Sequence, residues 1–317
     1  MVSKKSPKVS IIIPLYVDAP RFYADLKKFA KLNYPDYEIL VVSDKNVKIV
    51  DPKVKVLITG KERTGPAEKR DIAIQKAKGE ICAFIDDDAY PHSDWLKKAV
   101  VHFQHPQIAA VGGPGLTPKE DNYWEQLTGL VYGSFFCGGH AQYRFVKKPA
   151  RFVVDYPAYN LLVRKSVLKD VGGYGTHFYG GEDTFLCLKI IKKGHKILYD
   201  PEVVVYHHRR PLFIPYLKQI ANIGKHRGYF AKRFPETSFR WMYFLPSVLA
   251  LGFFVLPFIN WTLFVVLLVL SVGVGMYSVI SKTNLWNSFL ISLGIIGTHV
   301  VYGINFIRGL IFNNLER

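Results

Sequence analysis

Up to about residue 210, short apolar runs alternate with stretches in which apolar residues recur at helical spacing. Such runs are typical of buried strands. They predict strands at Val9–Pro14, Glu38–Ser43, Val54–Ile58, Ile81–Ile85, Ile108–Val111, Tyr159–Val163, Lys196–Tyr199 and Val203–Tyr206. The intervening pattern predicts helices at Arg21–Leu32, Pro66–Lys78, Asp94–His102 and Thr184–Lys193, with Gly79 and Gly194 closing the second and fourth. Strands that alternate with helices predict an α/β fold with a largely parallel sheet.

Candidate ligand residues stand directly at the ends of three predicted strands. Pro14 ends the first, Asp44 follows the second, and the run Asp86–Asp88 follows the fourth. Ligands of open α/β sheets bind beyond the carboxyl ends of the strands. In an extended chain Asp86 and Asp88 point to the same side, where two carboxylates can hold Mg²⁺ or Mn²⁺. A solvated acidic turn is the alternative interpretation of three consecutive aspartates.

The C-terminal part of the chain is apolar. No charged residue occurs between Tyr243 and Ser281, a run about twice as long as the roughly 20 residues that a membrane-spanning helix needs. This run predicts two spans with a turn near Pro257–Trp261, and Leu285–Phe312 predicts a third. Two or four spans are also compatible, because re-entrant segments give the same pattern. A soluble apolar bundle is disfavoured by the length of the run.

The segment between these two parts mixes aromatic and basic residues. At residues 212–234 the spacing is helical, which favours a helix in the membrane interface over an ordinary packed surface helix. Residues 115–160 are aromatic and glycine-rich and are expected to form loops and short helices that line a substrate cleft. The predicted organisation is an α/β catalytic domain at 1–211, an interfacial region at 212–240 and a transmembrane region of about three helices at 241–317.

Charge is concentrated in the α/β part. The 317 residues carry a formal net charge of +17, to which residues 243–317 contribute three basic residues and one acidic residue. This favours membrane lipids and phosphate-bearing substrates as partners, and the absence of zinc-finger or RNA-binding signatures argues against nucleic acid. The positive-inside tendency predicts a multi-pass protein of the cell membrane with the basic domain in the cytoplasm. Three spans would then place the C-terminus outside.

Cysteine usage and the N-terminus give weaker indications. The three cysteines are far apart and odd in number, which indicates neither a metal site nor a disulfide framework and favours a reducing compartment. Lys4 and Lys5 lead straight into a predicted strand, so no signal peptide is expected.

Seven short motifs occur in a characteristic order along residues 8–235. They are I-I-I-P-L-Y at 11–16, V-V-S-D at 41–44, K-R-D-I-A at 69–73, F-I-D-D-D at 84–88, V-G-G-P at 111–114, G-G-E-D at 180–183 and V-Y-H-H-R-R at 205–210. In this order they resemble family 2 glycosyltransferases, which have a GT-A nucleotide-sugar-binding (Rossmann-like) fold. The apolar tail resembles that of membrane-anchored members that build cell-envelope or lipid-linked glycans.

The resemblance implies a nucleotide-sugar site. Its residues would be Pro14, Tyr16, Asp44, Arg70, Asp86, Asp87, Lys225 and Arg227. Asp44 would accept a hydrogen bond from uracil or guanine in a base pocket formed with Pro14 and Tyr16, although an aspartate here also suits a turn. Arg70 would hold the nucleotide unless it belongs to a solvated helix face, and Asp71 stands where the family usually has asparagine. Asp87 would face the sugar or the ribose.

A basic segment near residue 225 resembles the diphosphate-binding segment of membrane synthases. Lys225 and Arg227 match its basic positions, but Gly228 replaces the aromatic residue that follows the arginine there. This departure puts chain-extending polymerisation in doubt.

The resemblance also implies a metal site and a catalytic base. Asp86, Asp88 and His207 would bind Mn²⁺ or Mg²⁺, with His208 as the alternative ligand and a surface histidine as the plain interpretation. Asp183 would be the general base that takes a proton from the acceptor hydroxyl, and Glu182 would contact the acceptor or orient the base. Direct attack would invert the anomeric configuration. A structural alternative for this acidic pair is a helix N-cap.

The sequence therefore predicts an inverting, metal-dependent glycosyltransferase. It would move a sugar from a UDP- or GDP-sugar to a membrane-associated acceptor, either a polyprenyl-linked saccharide or polyprenyl phosphate. The alternatives are a synthase that extends and extrudes a polysaccharide, a catalytically silent nucleotide-sugar-binding scaffold, and a nucleotidyltransferase. An oligomer is possible. The sequence leaves the donor sugar, the base and the acceptor open.

Overall fold

A computed structural model describes residues 6–16, 19–312 and 315 of the chain. Lys4 and Lys5, on which the expected absence of a signal peptide rests, lie outside the described residues. The chain divides into two compact units, each built from two separate stretches. The first unit contains residues 6–116 and 147–207, and the second contains Thr117–Val146 and His208–Leu315. This division differs from the boundary expected at residue 211, because residues 117–146 belong to the second unit.

The described residues of the first unit form two β-sheets. Its strands are β1 (Val9–Pro14), β2 (Tyr37–Ser43), β3 (Val54–Ile58), β4 (Ile81–Phe84), β5 (Ala89–Pro91), β6 (Ile108–Gly112), β7 (Gly115–Leu116), β8 (Arg151–Val153), β9 (Leu161–Arg164), β10 (Lys196–Tyr199) and β11 (Val205–His207). The larger sheet has the order β3-β2-β1-β4-β9-β6-β10-β8, and the smaller has the order β5-β11-β7. All eight predicted strands are present. The strands that were not predicted have only two or three residues, which is too short to show a periodic pattern.

The larger sheet is mixed rather than purely parallel. Strand β1 pairs in parallel with both β2 and β4, whereas β9 is antiparallel to both β4 and β6. Every residue of β1 and β4 is buried, as their largely apolar sequences predict. The α/β prediction is therefore confirmed, and the carboxyl ends of β2, β1 and β4 lie side by side.

Twelve α-helices occur among the described residues. They are α1 (Pro20–Leu26), α2 (Pro66–Lys76), α3 (Trp95–Val100), α4 (Tyr123–Gly133), α5 (Phe135–Gly138), α6 (Lys165–Asp170), α7 (Glu182–Lys192), α8 (Ile214–Arg233), α9 (Pro235–Ser238), α10 (Trp241–Ile259), α11 (Trp261–Tyr277) and α12 (Leu285–Ile311). Short 3₁₀ turns continue α1 at Lys27–Lys31 and α3 at Val101–Gln104. The four predicted helices are present, and two of them end in 3₁₀ geometry.

Two glycines that were predicted to close helices have different roles. Gly194 has a left-handed φ of 82° and follows α7, as predicted. Gly79 does not cap α2, which already ends at Lys76. A Cβ atom at Gly79 would lie 2.5 Å from the backbone nitrogen of Ser10, so glycine is needed because β1 passes close by.

The second unit is helical and contains the apolar part of the sequence. The uncharged run forms α10 and α11, and the break between them falls at Asn260, where a turn was predicted. Within the described part of the chain, two helices, α10 and α12, are long and apolar enough to cross a membrane by length and composition, while α11 has only 17 residues. Membrane association is thus indicated, with fewer full-length candidates than the three predicted.

Residues 117–146 contain short helices, as expected, and these pack within the helical unit. Leu127 and Val131 of α4 share a buried apolar cluster with Tyr216 of α8 and with Ile291 and Ile295 of α12. Asn122 begins α4 with a capping box completed by Glu125. This segment therefore helps to form the core of the second unit.

Candidate active site

The carboxyl ends of three adjacent strands bring polar side chains together, as the sequence predicts. Pro14 ends β1 and lies beside Val42 of β2. The loop after β1 is joined to the loop after β4, because the Tyr16 backbone N–H donates to the Asp87 carboxylate at 2.6 Å. Asp87 therefore has a structural bond in addition to any contact with a ligand.

Two carboxylates and an imidazole converge beside this edge. One ligand atom from each of Asp86, Asp88 and His207 lies within 4.8 Å of the others. His207 Nε2 lies 3.3 Å from Asp88 Oδ1. The small sheet explains this proximity, since β11 pairs with β5 and places His207 opposite Ala89. Two carboxylates and one imidazole form a donor set that suits Mn²⁺ and can also hold Mg²⁺.

The neighbouring histidine has a different environment. His208 belongs to the second unit, where its Nδ1 pairs with the buried Asp121 carboxylate. The backbone N–H of Arg209 donates to the same carboxylate at 3.2 Å. Of the two histidines, only His207 therefore joins an acidic cluster with metal-ligand spacing among the described residues.

Arg70 links the aspartates after β4 to the acidic pair of α7. Its guanidinium, only 3% exposed, lies 2.7 Å from Asp86, 3.2 Å from Glu182 and 3.4 Å from Asp183. The ring of Tyr174 lies 5.4 Å from the guanidinium carbon. Burial acts to lower the pKa of Arg70, but the neighbouring Tyr174 and the three carboxylates raise it well above its ordinary value. Arg70 is thus a permanent cation shared by the two acidic groups.

Glu182 and Asp183 occupy the first turn of α7. The helix begins at Glu182 because Gly181 has a left-handed backbone, with φ of 86°. Gly180 N–H donates to Glu182 at 3.0 Å, and Ala158 N–H donates to Asp183 at 3.0 Å. Burial raises the pKa of Asp183, Arg70 opposes this rise, and the charge of Glu182 adds to it. A carboxyl group with a raised pKa is suited to accepting a proton.

Asp44 lies in a second polar cluster at the end of β2. Its carboxylate is 2.8 Å from Lys69 Nζ and accepts from the Thr59 hydroxyl at 2.7 Å and the Thr64 backbone N–H at 3.2 Å. Partial burial acts to raise the pKa of Asp44, but these hydrogen bonds, with Lys69 first, lower it to about 2. A cavity that includes Lys45 opens beside the carboxylate. An ionised carboxylate beside a cavity can accept a hydrogen bond from an N–H group of a ligand.

Tyr16 and Asp71 complete the first unit's candidate residues. Tyr16 is 59% exposed, and its hydroxyl accepts from Arg63 at 3.3 Å. Asp71 accepts from the backbone N–H groups of Tyr174 and Gly175 at 2.7 and 2.9 Å. Asp71 therefore fixes the loop that carries Tyr174 beneath Arg70.

The other two predicted residues belong to the second unit. Lys225 and Arg227 lie on α8, where Arg227 is buried and donates to Ser238 Oγ at 3.2 Å. Its guanidinium carbon lies 5.3 Å from the centre of the Tyr243 ring. These contacts give Arg227 a packing role inside the helical unit.

Sequence reasoning missed Lys69, Thr59 and Tyr174 as parts of the site. Lys69 is buried and donates to both Asp44 and the Leu15 carbonyl oxygen. The available signal was its position beside Arg70 in K-R-D-I-A. Adjacent side chains of a helix point in different directions, so two neighbouring cations there pair with different groups. Thr59 and Tyr174 carry no comparable signal in the sequence.

A family model matches most of the chain. The model described as "Glycosyltransferase like family 2" matches residues 7–222. The chain is 27% identical over 231 residues to glycosyltransferase AglE of Haloferax volcanii, covering 69% of this chain and 72% of that protein. It is 23% identical over 276 residues to the dolichyl N-acetyl-alpha-D-glucosaminyl phosphate 3-beta-D-2,3-diacetamido-2,3-dideoxy-beta-D-glucuronosyltransferase of Methanococcus voltae, covering 79% and 84%.

The fold is also similar to that of a solved glycosyltransferase. The mannosyltransferase PcManGT from Pyrobaculum calidifontis, in complex with GDP-Man and Mn²⁺, aligns with a TM-score of 0.53 and 21% identity. The alignment covers 71% of this chain and 63% of that chain, which is less than two thirds of its length. The likeness confirms the predicted GT-A fold.

Proposed function

Since the chain belongs to glycosyltransferase family 2, we propose that it transfers one sugar from a nucleotide-sugar to a membrane-associated acceptor, with inversion at the anomeric carbon. The observation that carries the proposal is the Arg70 bridge between Asp86 and the Glu182–Asp183 pair. This bridge joins two groups. One is the acidic cluster of Asp86, which has metal-ligand spacing and suits a donor diphosphate, and the other is the Asp183 carboxyl group, which suits proton removal. A scaffold without catalysis has no need of this coupling.

In this proposal, the donor is held along the ends of β1, β2 and β4. Asp44 accepts an N–H of the base, with Pro14 and Tyr16 beside it, and Asp87 faces the sugar or the ribose. Arg70 keeps Asp86 in position for the diphosphate. Lys225 and Arg227 are assigned to the diphosphate by family resemblance alone. The nucleotide is UDP or GDP, as in the GDP-Man complex of the mannosyltransferase relative.

Asp86, Asp88 and His207 would hold Mn²⁺ or Mg²⁺. When bound, the cation offsets the charge that develops on the departing nucleoside diphosphate. Asp183 then removes the proton from the acceptor hydroxyl while that oxygen attacks the anomeric carbon. The Ala158 N–H holds one carboxylate oxygen of Asp183, so the other is oriented by Arg70 and the acceptor. Glu182 orients this base.

The acceptor is proposed to be lipid-linked, either a polyprenyl phosphate or a polyprenyl-linked saccharide. The apolar helices of the second unit support membrane attachment, and the Methanococcus voltae relative is named for a dolichyl phosphate substrate. The concentration of basic residues in the α/β part supports a cytoplasmic location for the catalytic unit.

The first test is nucleoside diphosphate release from a panel of UDP- and GDP-sugars by the detergent-purified full chain. The reactions contain Mn²⁺ or Mg²⁺, with and without a membrane lipid extract, and the anomeric configuration of the product is determined by NMR. We expect one donor to react, lipid extract to raise the rate, and EDTA to abolish it. Asp183→Asn should lower the rate by about 10²–10⁴-fold.

The matched control is Asp170→Asn, the same change at an exposed carboxylate that pairs with Lys193. It should leave the rate unchanged. Release of pyrophosphate would indicate nucleotidyl transfer, and a long glycan product would indicate a synthase. Nucleotide-sugar binding without any turnover would overturn the proposal in favour of a scaffold.

A further inference from the structure

The last long helix, α12, is packed on two opposite faces. Gly294, Thr298 and Gly309 contact α8 or the segment just before it: Gly294 lies against Leu212, Thr298 bonds to Tyr216, and Gly309 lies against Lys225. Ser292 and Gly303 contact the hairpin of α10 and α11 instead, at Gly275 and Pro246. With 3.6 residues per turn, these two sets fall on opposite sides of the helix.

One of these faces is covered by the amphipathic helix α8, which runs parallel to α12. Successive contacts join Leu217 to Gly297, Gly224 to Tyr302, and Gly228 to Phe306, so both helices advance together. A Cβ atom at Gly228 would lie 2.0 Å from the Phe306 carbonyl oxygen, which shows how closely the backbones approach. If α12 crossed a membrane, α8 would therefore have to cross it alongside.

The surface of α8 that faces away from α12 is polar beside the middle of α12. Lys218 and Asn222 are exposed there, between the contacts of Leu217 and Gly224 with α12. If α12 crossed the bilayer, this lysine would lie in the hydrocarbon, where an exposed ammonium group is strongly disfavoured. The α8 side of α12 therefore faces water or lipid headgroups.

The hairpin of α10 and α11 packs on the opposite face of α12. Helix α10 starts at the C-terminal half of α12, where Phe244 contacts Phe306, and α11 ends at its N-terminal half. The two helices meet at their far ends, where Phe253 contacts Phe264. Their outward surfaces are apolar and exposed, with Phe258 91% exposed beside the turn at Asn260. Lipid is the partner that such a surface fits.

The hairpin is shorter than a bilayer is thick. From Pro246 to Ile259, and from Trp261 to Gly275, each arm is about 20 Å long. The hydrocarbon core is about 30 Å thick. A tilted arm reaches even less deeply, so the turn at Asn260 ends inside the bilayer.

We propose that the second unit is monotopic: α12 lies in the membrane plane, α8 covers its aqueous side, and the α10–α11 hairpin enters the bilayer and returns. Residues at both ends of α12 then lie on the side of α8. This rests on the membrane association proposed above, and it replaces the three-span arrangement in which the C-terminal end of α12 emerges on the other side.

The test is cysteine accessibility in the full chain reconstituted in sealed vesicles. Cys137 is changed to alanine, while Cys82 and Cys187 are buried and stay. Single cysteines are introduced as Lys218→Cys, Lys282→Cys, Phe312→Cys and Asn260→Cys, and a membrane-impermeant maleimide is added. Lys218→Cys reports the side of α8, and the background without an added cysteine is the matched control.

We expect the cysteines at 282 and 312 to react from the same side as that at 218 and to a similar extent. The cysteine at 260 should react at least about tenfold less from either side and become reactive only on denaturation. Labelling of 312 only after the vesicles are opened would overturn the in-plane assignment of α12. Labelling of 260 only after opening would overturn the re-entrant hairpin.

Two further results separate this proposal from the proposed enzymatic function. Labelling requires neither donor nor acceptor, so an inactive protein with the expected pattern would reject the enzymatic function alone. Release of the wild-type chain from membranes by alkaline carbonate would overturn the monotopic arrangement whatever the activity.

Discussion

At the scale of single residues, the charge balance of the site depends on Arg70. One buried guanidinium faces three carboxylates contributed by two distant segments of the chain. Its Nε finds no hydrogen-bond partner among the described residues. A lysine could not reproduce this arrangement, because a single ammonium group lacks the planar fork that serves separate carboxylates. In the proposed function, this residue connects donor binding to proton removal through a fixed geometry.

The raised pKa of Asp183 leads to a prediction about pH. A general base must be deprotonated, so kcat/KM should rise with pH through a value above the ordinary carboxyl range. Glu182→Gln removes a neighbouring negative charge that favours protonation of Asp183, and should move the midpoint to lower pH. The measurement is the pH profile of nucleoside diphosphate release.

The control for this shift is Glu202→Gln, which alters an exposed carboxylate paired with Lys147. Its pH profile should match that of the wild type, and an unchanged midpoint in Glu182→Gln would contradict the assignment. The same raised pKa affects stability. Between the unfolded and folded pKa values of Asp183 the folded state binds more protons, so this group's contribution to stability falls as pH rises through that window.

At the scale of secondary-structure elements, the ends of β11 and α7 position candidate site residues. Strand β11 has three residues, yet its pairing with β5 places His207 beside Asp88. Helix α7 starts at Glu182 only because Gly181 adopts a left-handed backbone. Strand β11 contributes its last residue and α7 its first. A shift of one residue in either element would therefore move a candidate side chain out of the site.

Helix α8 gives the prediction at this scale. Gly228 lies against the backbone of α12, whereas a Cβ atom at Gly273 of α11 would meet no atom within 4 Å. Gly228→Ala should destabilise the protein by about 1–3 kcal/mol, because the helices must move apart. Gly273→Ala should be neutral or stabilising, since alanine favours helix. Thermal unfolding of the detergent-solubilised protein measures both, and equal shifts would show that close helix packing has no energetic role.

At the scale of the whole molecule, neither unit is a continuous segment. Residues 117–146 leave the first unit, join the helical unit and return to the sheet at β8. The buried faces of Leu127, Val131 and Tyr132 pack against α8 and α12. A cut at residue 211 therefore divides the second unit, although the sequence suggests a domain boundary there.

This architecture predicts the behaviour of truncated chains. A protein ending at Arg210 should aggregate, because the apolar face of α4 loses its partners. A second protein, in which a short glycine–serine linker also replaces residues 117–146, should be more soluble, as measured by size-exclusion chromatography. If the first truncation were monomeric and the second aggregated, the assignment of this segment to the helical unit would be wrong.

The sequence alone predicts the eight principal strands, the four helices of the α/β part, and the apolar C-terminal helices. It also indicated the family and most candidate residues, because these depend on local periodicity and on motifs of a few residues. Asp44, Asp86 and Asp88 follow strands whose apolar runs are unmistakable. Apolar runs and short motifs depend only on residues that are neighbours in the sequence.

Which of these residues come into contact is set by the folding of distant segments onto one another. The Arg70 bridge, the Lys69–Asp44 pair and the approach of His207 to Asp86 and Asp88 join segments that are far apart in sequence. The antiparallel insertion of β9 and the transfer of residues 117–146 to the helical unit are likewise long-range. Hydropathy measures how apolar a helix is and contains no information about its neighbours. The packing of α12 between α8 and the hairpin was therefore accessible only from the contacts of the folded chain.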